Sequence, residues 1–205
     1  MPAPANNAPA AAVDAVAASH DLRTLAGGLD VIPQLTFAEL GALVPQGPEI
    51  LIVPAMSDVA ASVNVPVLQW LRQQGNGHTL LFSWCEGAEV LAASGLIDGK
   101  TVTTHWGSID RYERAYPNVH WQRGERYIDG DMLLTTAGLT SGIDATLHLL
   151  EQRDGPGVVA KVVGSTGVLT LAGLVFCARA DGVCASRSRR RISMTREADR
   201  AKRRL

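Results

Sequence analysis

The sequence has few cysteines, few aromatic residues and almost no net charge. Its three cysteines, Cys85, Cys177 and Cys184, show no spacing typical of zinc ligands and are too few for a disulfide framework. We therefore expect no metal site, and no motif indicates a cofactor. The N-terminus lacks the basic and apolar regions of a secretory signal, so we expect a reducing, cytoplasmic setting.

Charge is unevenly distributed along the chain. Residues 187–205 hold nine basic and two acidic residues, a net charge of +7, which leaves −8 on residues 1–186. A basic tail of this kind could bind nucleic acid or anionic lipid. Because its arginines are not interleaved with aromatic residues, we predict a solvated tail without base recognition.

The length and the composition together predict one folded domain with tails. At 205 residues and 46% hydrophobic content, the chain can form a single α/β core. Residues 1–11 are rich in alanine and proline and are predicted to be disordered, residues 12–154 form the domain, and residues 155–205 stay unassigned. The 17 uncharged residues 162–178 are short for a membrane span, and a buried strand or helix suits them at least as well.

Apolar runs alternate with helical patterns through the predicted domain. Strands are predicted at 12–18, 49–53, 80–82, 100–104 and 119–122, hairpins at 22–33 and 126–135, and helices at 36–43, 65–74, 86–94, 108–116 and 140–151. The second hairpin would turn at Asp129-Gly130. This alternation predicts a mostly parallel sheet with helices on both faces, and ligands bind such sheets at the carboxyl ends of the strands.

Cys85 lies in a turn between a predicted strand and a predicted helix. A residue in such an elbow stands at the N-terminus of a helix, where the peptide dipoles favour a thiolate. The alternative is a buried structural cysteine, because cysteine is among the most frequently buried residue types. The local pattern alone leaves both interpretations open.

Four motifs in order resemble the ThiJ/PfpI superfamily, whose members include isonitrile hydratases and domains of AraC-type regulators. They are the elbow Cys85-Glu86-Gly87-Ala88, the turn at 96–99, the Thr-Thr-His-Trp motif at 103–106 and the helix entry at 140–144. The resemblance implies a three-layer α/β sandwich of the flavodoxin-like or amidotransferase-like type. It also implies a reactive Cys85 with His105 nearby, and a homodimer.

The chain departs from the family pattern in ways that bear on chemistry. The family's first strand and the acidic residue after it have no counterpart here, and Pro54-Ala55-Met56 replaces a Gly-Gly pair whose N–H groups can bind an oxyanion. In addition, Glu86 places a negative charge beside Cys85, which would oppose thiolate formation.

Two functions therefore remain open at the level of sequence. In the first, Cys85 and His105 carry out hydratase, hydrolase or amidotransferase-like chemistry on a small molecule through a thiol nucleophile. In the second, the chain is a non-catalytic ligand-sensing or interaction domain, which the missing carboxylate favours. In either case, the residues expected to hold an anion or ligand are Ala55, Met56, Glu86, Gly87 and Trp106.

Overall fold

The computed structural model describes residues 13–24 and 30–167. Strands and α-helices alternate along this part of the chain. The strands are β1 (Val16–Ala17), β2 (Arg23–Thr24), β3 (Asp30–Val31), β4 (Leu35–Thr36), β5 (Ile50–Val53), β6 (Leu80–Ser83), β7 (Thr101–Val102), β8 (His120–Trp121), β9 (Tyr127–Gly130) and β10 (Leu133–Thr136). The helices are α1 (Phe37–Leu43), α2 (Val65–Gln74), α3 (Gly87–Ala93), α4 (Ile109–Ala115), α5 (Leu139–Asp154) and α6 (Pro156–Thr166).

The main sheet has four strands in the order β5-β6-β10-β9. β5, β6 and β10 run parallel, and β9 is antiparallel to β10. Three two-stranded sheets, β1 with β4, β2 with β3, and β7 with β8, accompany it. The carboxyl ends of β5 and β6 are in register at Val53 and Ser83, so the loops that follow them meet at one edge of the sheet.

Both faces of the main sheet are covered, so the fold is a three-layer α/β sandwich. Leu81 and Leu133 belong to one core cluster, together with buried residues of α2, α3 and α4. Their neighbours Phe82 and Leu134 belong to a second cluster with Ala145 of α5. Successive residues of a strand point to opposite faces, which is why the continuous apolar runs seen in the sequence are buried on both sides.

Most of the predicted elements are confirmed. The structure contains the helix at 65–74 with the predicted bounds, and a strand at each predicted strand position. A capping box begins α1, in which the Thr36 hydroxyl accepts from the N–H of Glu39 while the Glu39 carboxylate accepts from the N–H of Thr36. This box fixes the start of α1 because it satisfies two N–H groups that would otherwise lack partners.

The turn of the second hairpin is not at Asp129-Gly130, as the sequence predicts. Gly130 pairs with Leu133, so the loop is Asp131-Met132, and Met132 adopts φ 49°. Asp129 instead lies within β9, where its Oδ2 atom is 2.8 Å from His148 Nε2 of α5. Contacts with a helix therefore override the local preference of the Asp-Gly pair for a turn.

Within the described residues, β5 forms one edge of the main sheet. The expected lack of the family's first strand concerns the residues before position 12, which lie outside the described ranges. At the other end of the chain, α6 extends the described fold beyond residue 154 and packs on α5. No helix in the described ranges is long and apolar enough to cross a membrane. The predicted disorder at 1–11, the basic tail at 187–205, and positions 168–178 of the uncharged run lie outside the described residues.

Candidate functional site

Cys85 occupies a strained elbow at the carboxyl end of β6. Its φ of 56° lies in the left-handed region, which residues other than glycine rarely adopt. The side chain is half-buried, and α3 begins two residues later at Gly87. Strained backbone of this kind persists only where surrounding contacts hold it, and it is concentrated at functional sites.

Two threonines hold the elbow in place. The N–H of Cys85 donates to Thr136 Oγ1 at 3.1 Å, and the Cys85 carbonyl accepts from Thr104 Oγ1 at 3.0 Å. Thr136 ends β10 and Thr104 follows β7, so two separate segments of the fold fix the cysteine backbone. Both threonines are 1% exposed or less, and burial strengthens such hydrogen bonds.

Gly87 allows the elbow to approach the neighbouring strand. A Cβ atom at this position would overlap the carbonyl oxygen of Val53, which also accepts a hydrogen bond from Trp84 N at 3.0 Å. Gly87 is therefore needed because the backbone at the start of α3 passes directly against the end of β5. Its role is steric, and the sequence-based assignment of Gly87 to ligand binding remains a prediction.

The immediate surroundings of Cys85 favour the neutral thiol. Burial raises the pKa of this thiol above its ordinary value, and the carboxylate of Glu86 raises it further. The N–H of Glu86 donates to the sulfur and acts in the opposite direction, but it does not outweigh burial. Elbow geometry alone predicts a stabilised thiolate, whereas burial of this sulfur acts in the opposite direction, so the reactivity of Cys85 stays a prediction.

The Glu86 side chain contacts residues at the start of α4. Its carboxylate accepts a hydrogen bond from the Ser108 hydroxyl, and Arg111 Nη2 lies 3.9 Å from the same oxygen. Within the described ranges, no carboxylate forms a hydrogen bond with the Cys85 sulfur. The acidic partner that the sequence lacks is therefore not supplied by another part of the described chain.

His105 and Trp106 belong to the segment that holds the Cys85 backbone. His105 follows Thr104, whose hydroxyl donates to the Cys85 carbonyl, but no hydrogen bond joins its ring to Cys85. The rings of His105 and Trp106 are 5.5 Å apart, and the Trp106 side chain is 80% exposed. Trp106 is thus a large aromatic surface open to solvent, two residues after Thr104.

The loop after β5 passes against the start of α3 and carries two free backbone donors. The N–H groups of Ala55 and Met56 have no acceptor among residues 13–24 and 30–167. Pro54 is exposed and has no N–H, so the N–H groups of Ala55 and Met56 are the first backbone donors after β5. No group of three or more potential ligand residues in the described ranges could hold a metal ion.

Sequence reasoning missed the residues that hold the site together. Thr136, Ser108 and Arg111 carry no motif by themselves, since a threonine at a strand end is a common residue. Asp144, in the helix entry at 140–144, is 2% exposed and forms an ion pair with Arg126. Only Thr104, which stands inside the Thr-Thr-His-Trp motif, had a signal that could have identified it.

Comparison with known proteins places this geometry in context. The chain is 35% identical over 123 residues to the HTH-type transcriptional regulator CdhR of Pseudomonas aeruginosa, covering 60% of this chain and 36% of the regulator. It is 30% identical over 135 residues to an isonitrile hydratase of Pseudomonas putida, covering 64% of this chain and 55% of the hydratase. The chain therefore spans only about a third to a half of these relatives.

Solved structures share the same fold. A ThiJ/PfpI family protein from Pseudomonas syringae matches with a TM-score of 0.57 and 27% identity, covering 67% of this chain and 55% of that one. DJ-1beta of Drosophila melanogaster matches with a TM-score of 0.58 and 17% identity, covering 74% and 79%. The model of the DJ-1/PfpI family matches residues 4–152, and the chain belongs to this family.

Proposed function

We propose that this chain is a ligand-sensing domain of the regulator type, in which the elbow binds a small molecule without forming a covalent bond. The observation that carries the proposal is the environment of Cys85. Burial raises the pKa of its thiol, and no carboxylate in the described ranges bonds to its sulfur, which supports a neutral thiol as the ligand contact. The similarity to CdhR, an HTH-type transcriptional regulator, supports the same reading.

The elbow still offers the groups that a bound molecule would need. The N–H groups of Ala55 and Met56 can donate to a ligand oxygen or anion, and the exposed ring of Trp106 can pack against an apolar part. The neutral Cys85 thiol can act as a weak donor. These residues, with His105 and Glu86 at the rim, form the proposed ligand site, and a homodimer is part of the proposal.

A cysteine-dependent hydratase is the second candidate function. One observation favours it: Cys85 keeps a φ of 56° through two buried hydrogen bonds, although a purely structural cysteine would not need such strain. In that case the Cys85 sulfur would add to a small electrophile, His105 would transfer the proton, and water would release the product. The similarity to isonitrile hydratase belongs to this alternative.

The two functions can be separated with one substrate probe and one variant. Cyclohexyl isocyanide is incubated with the wild-type protein and with Cys85→Ala, and formation of the corresponding formamide is followed by chromatography. The sensing proposal predicts the same background rate in both. Formamide formation that depends on Cys85 would contradict it and would establish the hydratase.

A further inference from the structure

The side chain of His20 joins the N-terminal part of the described fold to α1. We define the N-terminal β unit as residues 13–24 and 30–36, which form the two-stranded sheets β1–β4 and β2–β3. The ring of His20 lies between the carbonyl of Pro33 in this unit and the carboxylate of Glu39 on α1. None of these groups belongs to the elbow, so the contact is independent of the function proposed for Cys85.

Both nitrogens of the His20 ring face oxygen atoms that act as acceptors. Nδ1 is 3.0 Å from the carbonyl oxygen of Pro33, and Nε2 is 2.9 Å from Glu39 Oε2. A neutral imidazole carries a single N–H group, so one of its nitrogens would turn a lone pair toward an oxygen. The imidazolium has an N–H group on each nitrogen and satisfies both contacts. The geometry therefore requires a charged ring.

The capping box of α1 holds the Glu39 carboxylate in place for this contact. Glu39 Oε2 accepts from the Thr36 N–H at 2.7 Å and from the Thr36 hydroxyl at 2.8 Å. These two bonds and the bond to His20 lower the pKa of Glu39, so its carboxylate is ionised at neutral pH. His20 thus binds a carboxylate that is fixed on the first turn of a helix.

The N-terminal β unit buries little apolar surface, so a single polar contact matters for its attachment. Its strands have two residues each, and Val13, Leu22 and Ile32 are 82%, 56% and 63% exposed. Segments with few buried apolar contacts open at a low cost in free energy. The helix α1 is attached to the rest of the fold, since Phe37 stacks on Trp70 of α2 with ring centroids 4.3 Å apart. The unit can therefore loosen from α1 without disturbing the main sheet.

We propose that His20 is a pH-sensitive latch, which holds the N-terminal β unit against α1 while its ring is charged and releases it when the ring loses a proton. The bond to the Pro33 carbonyl, followed by the bond and the charge of Glu39, raises the pKa of His20 above its ordinary value. Because this pKa is higher in the folded than in the unfolded chain, the latch is complete below about pH 6.5. It is lost as the pH rises through the folded-state pKa.

The latch depends on one carboxylate. Glu39 is the charged group that contacts the ring from α1, and the segment between β3 and β4 contributes an uncharged carbonyl. Beside the ring in sequence, Asp21 accepts from the Ser19 hydroxyl at 2.7 Å, and Arg23 donates to the same hydroxyl at 3.1 Å. Neither Asp21 nor Arg23 contributes to the pKa of the ring. A single substitution at Glu39 should therefore remove the effect.

The first test is an NMR titration of the His20 ring, whose Cε1–H signal is assigned by its loss in His20→Gln. We expect a midpoint above 6.5 in the wild type and a lower midpoint in Glu39→Gln, which keeps an acceptor for Thr36 but removes the charge. Asp21→Asn is the matched control and should titrate like the wild type. A wild-type midpoint at or below 6.5, or equal midpoints in the wild type and Glu39→Gln, would overturn the proposal.

Hydrogen exchange tests whether the charge holds the unit. The amide protons of Gln34 and Leu35, which donate to the Ala15 carbonyl, are followed at pH 6 and pH 8.5 as protection factors corrected for the intrinsic pH dependence of exchange. We expect roughly two- to fivefold less protection at pH 8.5 in the wild type, the range typical of an exposed ion pair, and equally low protection at both pH values in His20→Gln. His120→Gln, at an exposed position of β8, should behave like the wild type. Wild-type protection that is equal at both pH values, or a pH dependence that survives in His20→Gln, would contradict the latch.

Discussion

At the scale of the residue, the account depends on the balance of forces at the Cys85 sulfur. Burial and the Glu86 carboxylate favour the thiol, and one N–H group favours the thiolate. A position at the N-terminus of α3 does not by itself stabilise the thiolate. The helix has only seven residues, and the N–H groups of Gly87 and Glu89 donate to carbonyls of the elbow. The neutral thiol suits a ligand contact better than a nucleophile.

Removing the Glu86 charge should therefore make Cys85 more acidic. In Glu86→Gln we expect a lower Cys85 pKa and faster alkylation by iodoacetamide at pH 7, because a like charge near the sulfur is lost. Glu89→Gln is the matched control. Glu89 accepts from the Tyr112 hydroxyl at 2.9 Å and does not contribute to the Cys85 pKa. Equal alkylation rates in both variants would show that the Glu86 charge does not affect the Cys85 pKa.

The sequence predicted the position of Cys85 but not its ionisation. The strand, turn and helix around it are local patterns, and they fix where the residue lies. The sequence also shows that the Glu86 charge stands beside Cys85. Burial of the sulfur is a property of the tertiary fold, and the Glu86 carboxylate is held by Ser108 and Arg111, more than twenty residues away, so no local pattern gives either.

At the scale of the element, the fit between α3 and β5 decides whether the elbow can form. The N-terminal turn of α3 passes against the last residue of β5, and only a glycine leaves room for the Val53 carbonyl. The motif Cys-x-Gly in the sequence thus reflects a packing requirement between two elements. The capping box of α1, by contrast, can be predicted from the sequence because all of its groups lie within four residues.

Gly87→Ala should destabilise the fold by roughly 1–3 kcal/mol or more, because the added methyl group overlaps backbone that cannot move independently. Gly41→Ala, within α1, is the matched control, since a Cβ there meets nothing within 4 Å. Alanine in a helix is favoured over glycine by about 0.5–1 kcal/mol, so this variant should be slightly more stable. Denaturant unfolding measures both, and similar stabilities would contradict the proposed close approach.

Thr36→Ala tests the capping box of α1. Loss of the hydroxyl that accepts from the N–H of Glu39 should lower the free energy of unfolding by about 1 kcal/mol. Thr36→Ser keeps the hydroxyl and should retain most of the stability. If alanine and serine variants unfold at the same denaturant concentration, the box contributes nothing to the fold.

At the scale of the whole molecule, β5 forms an edge of the main sheet among the described residues. The carbonyls of Glu49 and Val53 bond to β6, so by strand alternation the N–H and C=O groups of Ile50 and Ile52 point to the unpaired edge. Ile52 is 46% exposed. An apolar edge strand without an inward charge readily pairs with another chain.

We expect the protein to self-associate through this edge in a concentration-dependent manner. Ile52→Lys should weaken the association, because a charge on an edge strand opposes pairing with a second copy. Leu139→Lys, at the start of α5 and 77% exposed, changes an equally apolar position away from the edge and serves as control. Sedimentation velocity distinguishes them, and equal association of the two variants would exclude β5 as the contact.

The measurement that tests the central claim most directly is the pH dependence of Cys85 alkylation. Iodoacetamide modification of the native protein is followed by mass spectrometry of the peptide that contains Cys85, so that Cys177 and Cys184 do not interfere, and Cys85→Ser gives the background. The account predicts a midpoint above the ordinary thiol value of about 8.5, because burial raises the Cys85 pKa. A midpoint below about 7 would show a stabilised thiolate. It would contradict the ligand-sensing function and favour the cysteine enzyme.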